Sequence, residues 1–292
     1  MYMDALMTEA AIAVLPYGSK LGRCLSVRDL DELIWPIGRP ARLSSGRIAD
    51  LSPDDHLIIY PKTNMHFLPN LGTRAKVTAM VVEPSIIHAR HLRWLRLTYR
   101  RFFRVMTYHQ TLLDHIPNGL FLPYGTTWVP DYDEINLEKT RHMSLIASGK
   151  RDHEGHQLRH RLVQHVHQAQ LDVKVLGRGY APFDRKSEGL APYRFSVVIE
   201  NVREPNYFSE KLIDAILCET VPIYWGCPNI SDFIDTAGMI ICSAEEDVER
   251  AIAAASQAQY DALAPALRRA KPQAASFVDL ELRAAETLKA SL

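Results

Sequence analysis

Residues 193–226 read YRFSVVIENVREPNYFSEKLIDAILCETVPIYWG, and the rest of the chain is organised around them. The stretch opens with an apolar run, Phe195, Val197, Val198 and Ile199, which predicts a short strand that runs into Glu200-Asn201. A polar loop broken by Pro205 follows. Ser209 is placed as an N-cap, with Glu210 and Lys211 in the first turn of a helix. Leu212, Ile213, Ile216 and Leu217 recur at helical spacing and give that helix one apolar face. Residues 220–225 predict a second buried strand, ended by Gly226. Strand, loop, helix, strand is the order of a parallel α/β sheet.

The polar residues of this stretch are concentrated at one place. Glu200, Asn201, Tyr207, Glu210 and Lys211 fall at the carboxyl end of a strand or the start of the next helix, the edge where open α/β sheets bind ligands. A helix N-terminus offers free N–H groups and a positive dipole end, which suit phosphate. Lys211 adds a charge there, and Glu210 is able to accept hydrogen bonds from a ribose diol. The same residues also describe a capped helix with solvated charges.

The order YRFSVVIEN, NYFSEKLIDAI, TVPIYWG resembles the donor-binding signature of the α1,3-fucosyltransferase family. That family carries an aromatic-x-Phe strand, then Glu-Asn, then Tyr-x-Thr-Glu-Lys, then a Val-Pro strand ending in Gly. Here Ser209 stands for the Thr and keeps the capping hydroxyl, and Val202 follows Glu-Asn where Ser is common. The match is close over residues 193–226 and loose beyond them. It is specific for the donor half and not for which sugar is moved.

Length and composition agree with such an architecture. A chain of 292 residues accommodates two domains of roughly 140 residues each. Apolar residues make up 47% and charged residues 23%, as in ordinary soluble globular proteins. The formal net charge is zero, whereas a nucleic-acid binder is clearly basic, so nucleic acid is not expected as a partner. The four cysteines, Cys24, Cys218, Cys227 and Cys242, form no Cys-x-x-Cys pair, which argues against zinc; Cys218 and Cys242 read as small core residues, as a reducing cytoplasm permits. The short apolar run at residues 10–15 has no basic segment before it and reads as neither signal peptide nor anchor. Animal fucosyltransferases carry an N-terminal membrane helix, so this chain looks more like the soluble bacterial kind, with a cytoplasmic location expected.

Before the central stretch, residues 57–60 predict a buried strand after the turn Ser52-Pro53-Asp54-Asp55, and Asp54-Asp55 read as surface residues. Residues 76–82, KVTAMVV, predict the next strand, which ends at Glu83-Pro84-Ser85, where Pro84 starts a new element. A helix over residues 86–99 puts Leu92, Leu95 and Tyr99 on one face and Arg90, Arg93 and Arg100 on the other. That basic face is either simply solvated or meets an anionic glycan or lipid headgroups, so peripheral membrane association through residues 90–104, at the inner face of the membrane, is an expectation. Residues 102–107 and 120–123 predict two more strands, and residues 125–128 are placed in a cleft wall.

Residues 130–141 are polar and weakly periodic and read as the linker. Asp131-Tyr132-Asp133 is placed on the surface, not on a metal-held diphosphate. A new strand and helix follow, with Leu158, Leu162 and Val166 on the buried side of the helix. Residues 173–176 form a strand ended by the turn Gly177-Arg178-Gly179. Residues 262–292 read as helical in two pieces broken near Pro272. The alternation predicts two α/β domains facing one cleft: 1–140 for the acceptor, 141–270 for the nucleotide sugar, and a C-terminal helix, 271–292, returning to the first domain.

The resemblance implies more. It implies the GT-B fold, two Rossmann-like domains about a central cleft, and inverting transfer of fucose from GDP-fucose to a hydroxyl of a glycan, with no cofactor required. In related transferases an Arg near the start of the first C-terminal helix grips the donor diphosphate; Arg159 matches that position, with Arg161 as the fallback. Glu200, Asn201, Tyr207, Ser209, Glu210 and Lys211 then serve the donor, with Tyr207 on the base or the diphosphate. The family also places a catalytic Glu in a first-domain loop, which makes Glu83 the catalytic base, although the sequence around it differs. Two alternatives stand beside this: another nucleotide-sugar donor on the same fold, and a non-catalytic glycan- or nucleotide-binding protein.

Overall fold

The computed structural model describes residues 10–21, 25–68 and 71–292; Cys24 lies outside them. The chain divides into two compact units, residues 1–122 with 281–292, and residues 123–280.

The first unit holds β1 (Ile12–Val14), β2 (His56–Ile59), β3 (Lys76–Val81), α1 (Ser85–Thr98), β4 (Arg104–Thr107), α2 (Gln110–Leu113) and β5 (Gly119–Phe121). Its five strands are all parallel and lie in sequence order, with Ile58 opposite Thr78 and Met80 opposite Met106. The strands read as near-continuous apolar runs because both faces of the sheet are covered. The turn at residues 52–55 forms as expected, but Asp55 is not a surface residue. It is fully buried and accepts from Ala11 N (2.9 Å), from Ser52 N and Oγ, and from Arg42. A buried carboxylate requires such partners, and although burial alone raises its pKa, they bring it down to about 2.

The second unit holds β6 (Arg141–Ile146), α3 (Glu154–Gln168), β7 (Val173–Leu176), β8 (Tyr193–Ile199), α4 (Glu210–Leu217), β9 (Val221–Trp225), β10 (Ile240–Ile241), α5 (Glu245–Ala254) and α6 (Gln257–Ala275). Its sheet is also wholly parallel, in the order β10-β9-β8-β6-β7. That order reverses direction between β6 and β8. The crevice outside the carboxyl ends of strands at such a reversal is where doubly wound sheets bind their ligands. The apolar face of α4 fills the core as its spacing predicts, with Leu212, Ile213, Ile216 and Leu217 fully buried; each such side chain contributes about 1.5–3 kcal/mol. Cys218, Cys227 and Cys242 are free and buried, and burial pushes their thiols up to about 12, 11 and 11.

Two expectations are corrected. Residues 130–141 do not run as a free linker. Val129 is buried in the second core, Tyr132, Ile135 and Leu137 pack against it, and Lys139 Nζ donates to Ala191 O (2.7 Å), Cys218 O (2.6 Å) and Thr220 Oγ1 (3.1 Å). The apolar residues that seat this segment lack a regular period, which is why it looks unstructured in sequence. Nor does Pro272 break the C-terminal helix: α6 contains both Pro265 and Pro272. The two prolines are exposed and seven residues apart on one solvent face, where water is able to take up the carbonyls left without an N–H. The break comes after Ala275, and α7 (Leu280–Lys289) follows. From Glu281 on it counts with the first unit, where Glu281 Oε1 accepts from Tyr60 Oη (2.6 Å) and Arg104 Nη2 donates to Ser291 O (3.0 Å). Among the described residues, no helix is long and apolar enough to cross a membrane.

Candidate active site

The carboxyl ends of β6 and β8 are joined by two features of the sequence. Gly155, in the first turn of α3, donates its N–H to Asn201 O (3.0 Å), and a Cβ there would stand 1.7 Å from Glu200 O. Only glycine permits that approach. It brings α3 against the end of β8, so that Arg159, one turn on, is 95% buried with its Nε donating to Ile199 O (3.2 Å) and its Nη2 to Asn201 Oδ1 (2.8 Å). Burial lowers the guanidinium pKa, and the charges of Glu200, Glu210 and Tyr207 act against it. Arg161, the fallback, points elsewhere and pairs with Glu245 at the surface (2.8 Å).

The loop from β8 to α4 is pinned by a reciprocal amide pair. Asn206 N donates to Asn229 Oδ1 (2.9 Å) and Asn229 Nδ2 to Asn206 Oδ1 (2.8 Å), with Asn206 at φ +64°, a conformation Asn tolerates. Ser209 caps α4, its hydroxyl accepting from Lys211 N (3.4 Å). Glu200 locks that cap: its Oε1 accepts from Ser209 N (2.8 Å) and its Oε2 from Ser209 Oγ (2.6 Å). Gly226 lies against the same carboxylate, since a Cβ there would come 2.6 Å from Glu200 Cγ.

The charges at the start of α4 form one network. Lys211 Nζ lies 3.0 Å from Glu210 Oε1, 3.1 Å from Ser209 Oγ and 3.8 Å from Glu200 Oε2. Burial opposes the lysine's charge, yet Glu210 and Glu200 raise its pKa. Glu210 is nine-tenths buried, which would favour its neutral form, but Lys211 and Lys186 hold its pKa down. Glu200 goes the other way: complete burial raises it more than Lys211 lowers it. The Lys211 side chain keeps 22% of its surface open. An arginine, a lysine and a helix N-terminus thus converge at the sheet's reversal, an arrangement that suits a phosphorylated ligand.

Of the expected donor residues, Arg159, Asn201, Glu210 and Lys211 are brought together here. Glu200 and Ser209 differ from them. Both side chains are closed to solvent and bonded to each other, and they position the helix start. Tyr207 is also buried, with its ring parallel to that of Tyr124 at 6.3 Å.

A family profile described as glycosyltransferase family 10 (fucosyltransferase), C-terminal region, matches residues 137–251. Over that segment the chain is similar to glycosyltransferase family 10. The α-(1,3)-fucosyltransferase FucT of Helicobacter pylori is 44% identical over 46 residues, which are 16% of this chain and 10% of that protein. A fucosyltransferase-like protein of Arabidopsis thaliana is 35% identical over 65 residues, 22% of this chain and 13% of that protein. The matched segments therefore span only a small part of these relatives. Among solved structures, Anabaena HepE aligns with a TM-score of 0.54 at 12% identity, over 80% of this chain and 79% of that one. S. aureus TarM aligns at 0.53 and 11% identity, over 82% of this chain and 54% of that one. An α1,3-fucosyltransferase solved with GDP-fucose aligns at 0.49 and 18% identity, over 72% and 68%. With its two parallel sheets the fold is that of the GT-B glycosyltransferases.

Sequence reasoning missed one cluster, at the inner side of α4. Asp214 lies on the inner side of α4, wholly buried; its Oδ1 accepts from Thr127 Oγ1 (2.6 Å) and Trp128 N (3.0 Å), while Oδ2 has no hydrogen-bond partner among the described residues. Burial pushes this carboxyl up to about 7 against the opposing charge of Lys186. Lys186 Nζ stands over the ring of Trp128 at 5.6 Å, and burial lowers its pKa against the pull of Asp214 and Glu210. The available signal was an aspartate inside the apolar run LIDAIL. Gly125 to Trp128 seat on α4 and the segment before it through Asp214 and through Gly125 N donating to Phe208 O (3.2 Å).

In the first unit, Glu83 stands two residues beyond β3, half-buried, at the carboxyl end of the sheet. Its backbone carbonyl bonds His109 Nε2 (3.0 Å), and its carboxylate receives the Tyr17 hydroxyl. Burial first, and then that carboxylate, raises the phenol's pKa. Neither Tyr17 nor His109 stood out in the sequence, because each is an isolated residue in a segment without periodicity. Among the described residues no group of three or more His, Cys, Asp or Glu side chains is arranged to hold a metal ion.

Proposed function

We propose that the chain is an inverting glycosyltransferase that moves fucose from GDP-fucose to a hydroxyl of a glycan acceptor. The observation that carries this is the convergence of Arg159 and Lys211 at the sheet reversal, within the segment similar to the fucosyltransferase family. Arg159, Lys211 and the N–H groups at the start of α4 neutralise the charge that develops on the leaving diphosphate. Glu210 and Asn201 bond donor hydroxyls. The acceptor oxygen attacks the fucose anomeric carbon from the face opposite the diphosphate, and the bond from that carbon to the phosphate oxygen breaks. Glu83 of the first unit takes the acceptor's proton, a role worth about 10² to 10⁴ in rate.

The test is to incubate the protein with GDP-fucose and a glycan panel and to read the products by mass spectrometry. A glycan heavier by one fucose residue is expected, and Glu83→Gln is expected to keep donor affinity while turnover falls by at least about 10². Turnover of Glu83→Gln within about threefold of the parent removes Glu83 as the base. Product from another nucleotide sugar only reassigns the donor, and donor binding without any product makes the chain a binding protein.

A further inference from the structure

The exposed face of α1 carries a charge pattern that donor chemistry does not use. Arg90, Arg93 and Arg96 lie along one solvent-facing stripe of the helix, and the exposed Arg100 follows in the 3-10 turn Tyr99–Arg101 beyond its end, with His91 and Leu95 on the buried side. None of the four is paired with a carboxylate among the described residues. The segment from Ser85 to Arg104 contains six arginines and no Asp or Glu, in a chain whose formal net charge is zero. The balancing acids therefore lie elsewhere, and this face is a local concentration of positive charge.

Apolar side chains are interleaved with these arginines. Leu97 is 82% exposed and Ile86 51% exposed, and both fall within the stripe, about 16 Å apart along the helix at 1.5 Å per residue. On its flank Phe67 and Trp94 meet edge to face at 5.0 Å, with the Arg90 guanidinium over the Trp94 ring at 5.2 Å. A purely solvated basic face makes no use of the exposed Leu97 and Ile86. A hydrated polyanion attracts the arginines but gains nothing from Leu97 and Ile86. An anionic bilayer surface uses both, since guanidinium groups settle among the phosphates while Leu and Ile enter the acyl boundary.

We propose that the α1 face docks the first unit on a membrane surface rich in anionic phospholipid. The docking rests on Arg93, Arg96 and Arg100 for charge and on Leu97 and Ile86 for insertion. It is independent of the proposed transfer reaction and stands or falls separately from it.

Cosedimentation with vesicles tests it, using phosphatidylcholine alone and phosphatidylcholine mixed with phosphatidylglycerol. The parent chain is expected to bind only the mixed vesicles and to come off in about 0.5 M salt, where screening is strong. One arginine near an anionic leaflet is worth roughly fivefold in affinity, so Arg93→Glu/Arg96→Glu/Arg100→Glu is expected to weaken binding by at least about a hundredfold, with an unchanged thermal melt. Leu97→Ser, which keeps every charge, is expected to weaken it by about tenfold. Failure of the parent to bind the mixed vesicles at low salt, equal binding to phosphatidylcholine alone, or full retention by the triple variant overturns the proposal. Undiminished binding by Leu97→Ser, with equal capture on heparin, would identify a site for a soluble polyanion and overturn it as well.

Discussion

Lys211→Met separates the two roles that the network at the start of α4 performs. In the parent, Nζ stands 3.0 Å from Glu210 and 3.8 Å from Glu200, both almost or wholly without solvent. At such distances and an effective dielectric near 20, each contact is worth on the order of 4–5 kcal/mol before desolvation is subtracted. Removing the cation leaves an uncompensated buried carboxylate, which costs about 3–5 kcal/mol. Against a typical total of about 5–15 kcal/mol, the single variant should melt well below the parent. Loss of GDP binding by it would therefore say little. The informative protein is Lys211→Met/Glu210→Gln, which removes both charges while an amide still bonds a ribose hydroxyl. It should recover part of the melting temperature, because Glu210 no longer carries an unpaired charge while Glu200 still lacks its cation. If Lys211 holds the diphosphate, GDP affinity measured by titration calorimetry should stay about ten- to a hundredfold below the parent, since a charge-assisted bond contributes about 1.5–3 kcal/mol. A double variant that folds and binds GDP with parent affinity would show that Lys211 serves the ion pair alone.

Asp214→Asn probes the buried carboxyl beneath the same helix. Its folded pKa, about 7, lies above the usual carboxylate value, so its contribution is fully present below about pH 4 and is lost as pH rises to about 7. The parent should lose roughly 3 kcal/mol between pH 5 and pH 8 from this group, and urea unfolding of Asp214→Asn should show that slope removed; an identical slope sinks the assignment. Arg159→Ala should abolish measurable GDP binding, whereas Arg161→Ala, which loses only a surface pair with Glu245, should bind as the parent does; the reverse result would exchange their roles. Gly155→Ala should fail to form the site, because its Cβ would lie 1.7 Å from a backbone oxygen; a variant with parent GDP affinity would refute the tight approach of α3 to β8.

The strands, the helix after Ser209 and its cap were legible because periodicity and capping chemistry are local: Phe195, Val197 and Ile199 announce a strand, and Leu212, Ile213 and Ile216 a helix face, wherever the chain goes next. The position of the site was half legible. Polar residues at a strand end point to a ligand edge, but the reversal of strand order between β6 and β8 depends on which strands pair, and that is a long-range choice. The same limit explains the individual misses. Nothing in the sequence shows that Ser209 closes over Glu200. Asp214 and Lys186 act on each other's charge although they are far apart in the chain. Pro272 looked like a break because exposure, which makes it tolerable, belongs to the tertiary structure. The Asn206–Asn229 pair that fixes the loop is equally invisible from either residue alone.

The central claim is that a nucleoside diphosphate is held where α3 and the start of α4 meet the end of β8. A crystal structure of the protein with GDP tests it most directly. The account predicts the diphosphate within hydrogen-bond distance of Lys211 Nζ and the Arg159 guanidinium, with the N–H groups at the start of α4 facing its oxygens. GDP bound with its phosphates away from both cations, or bound to the first unit, would contradict it.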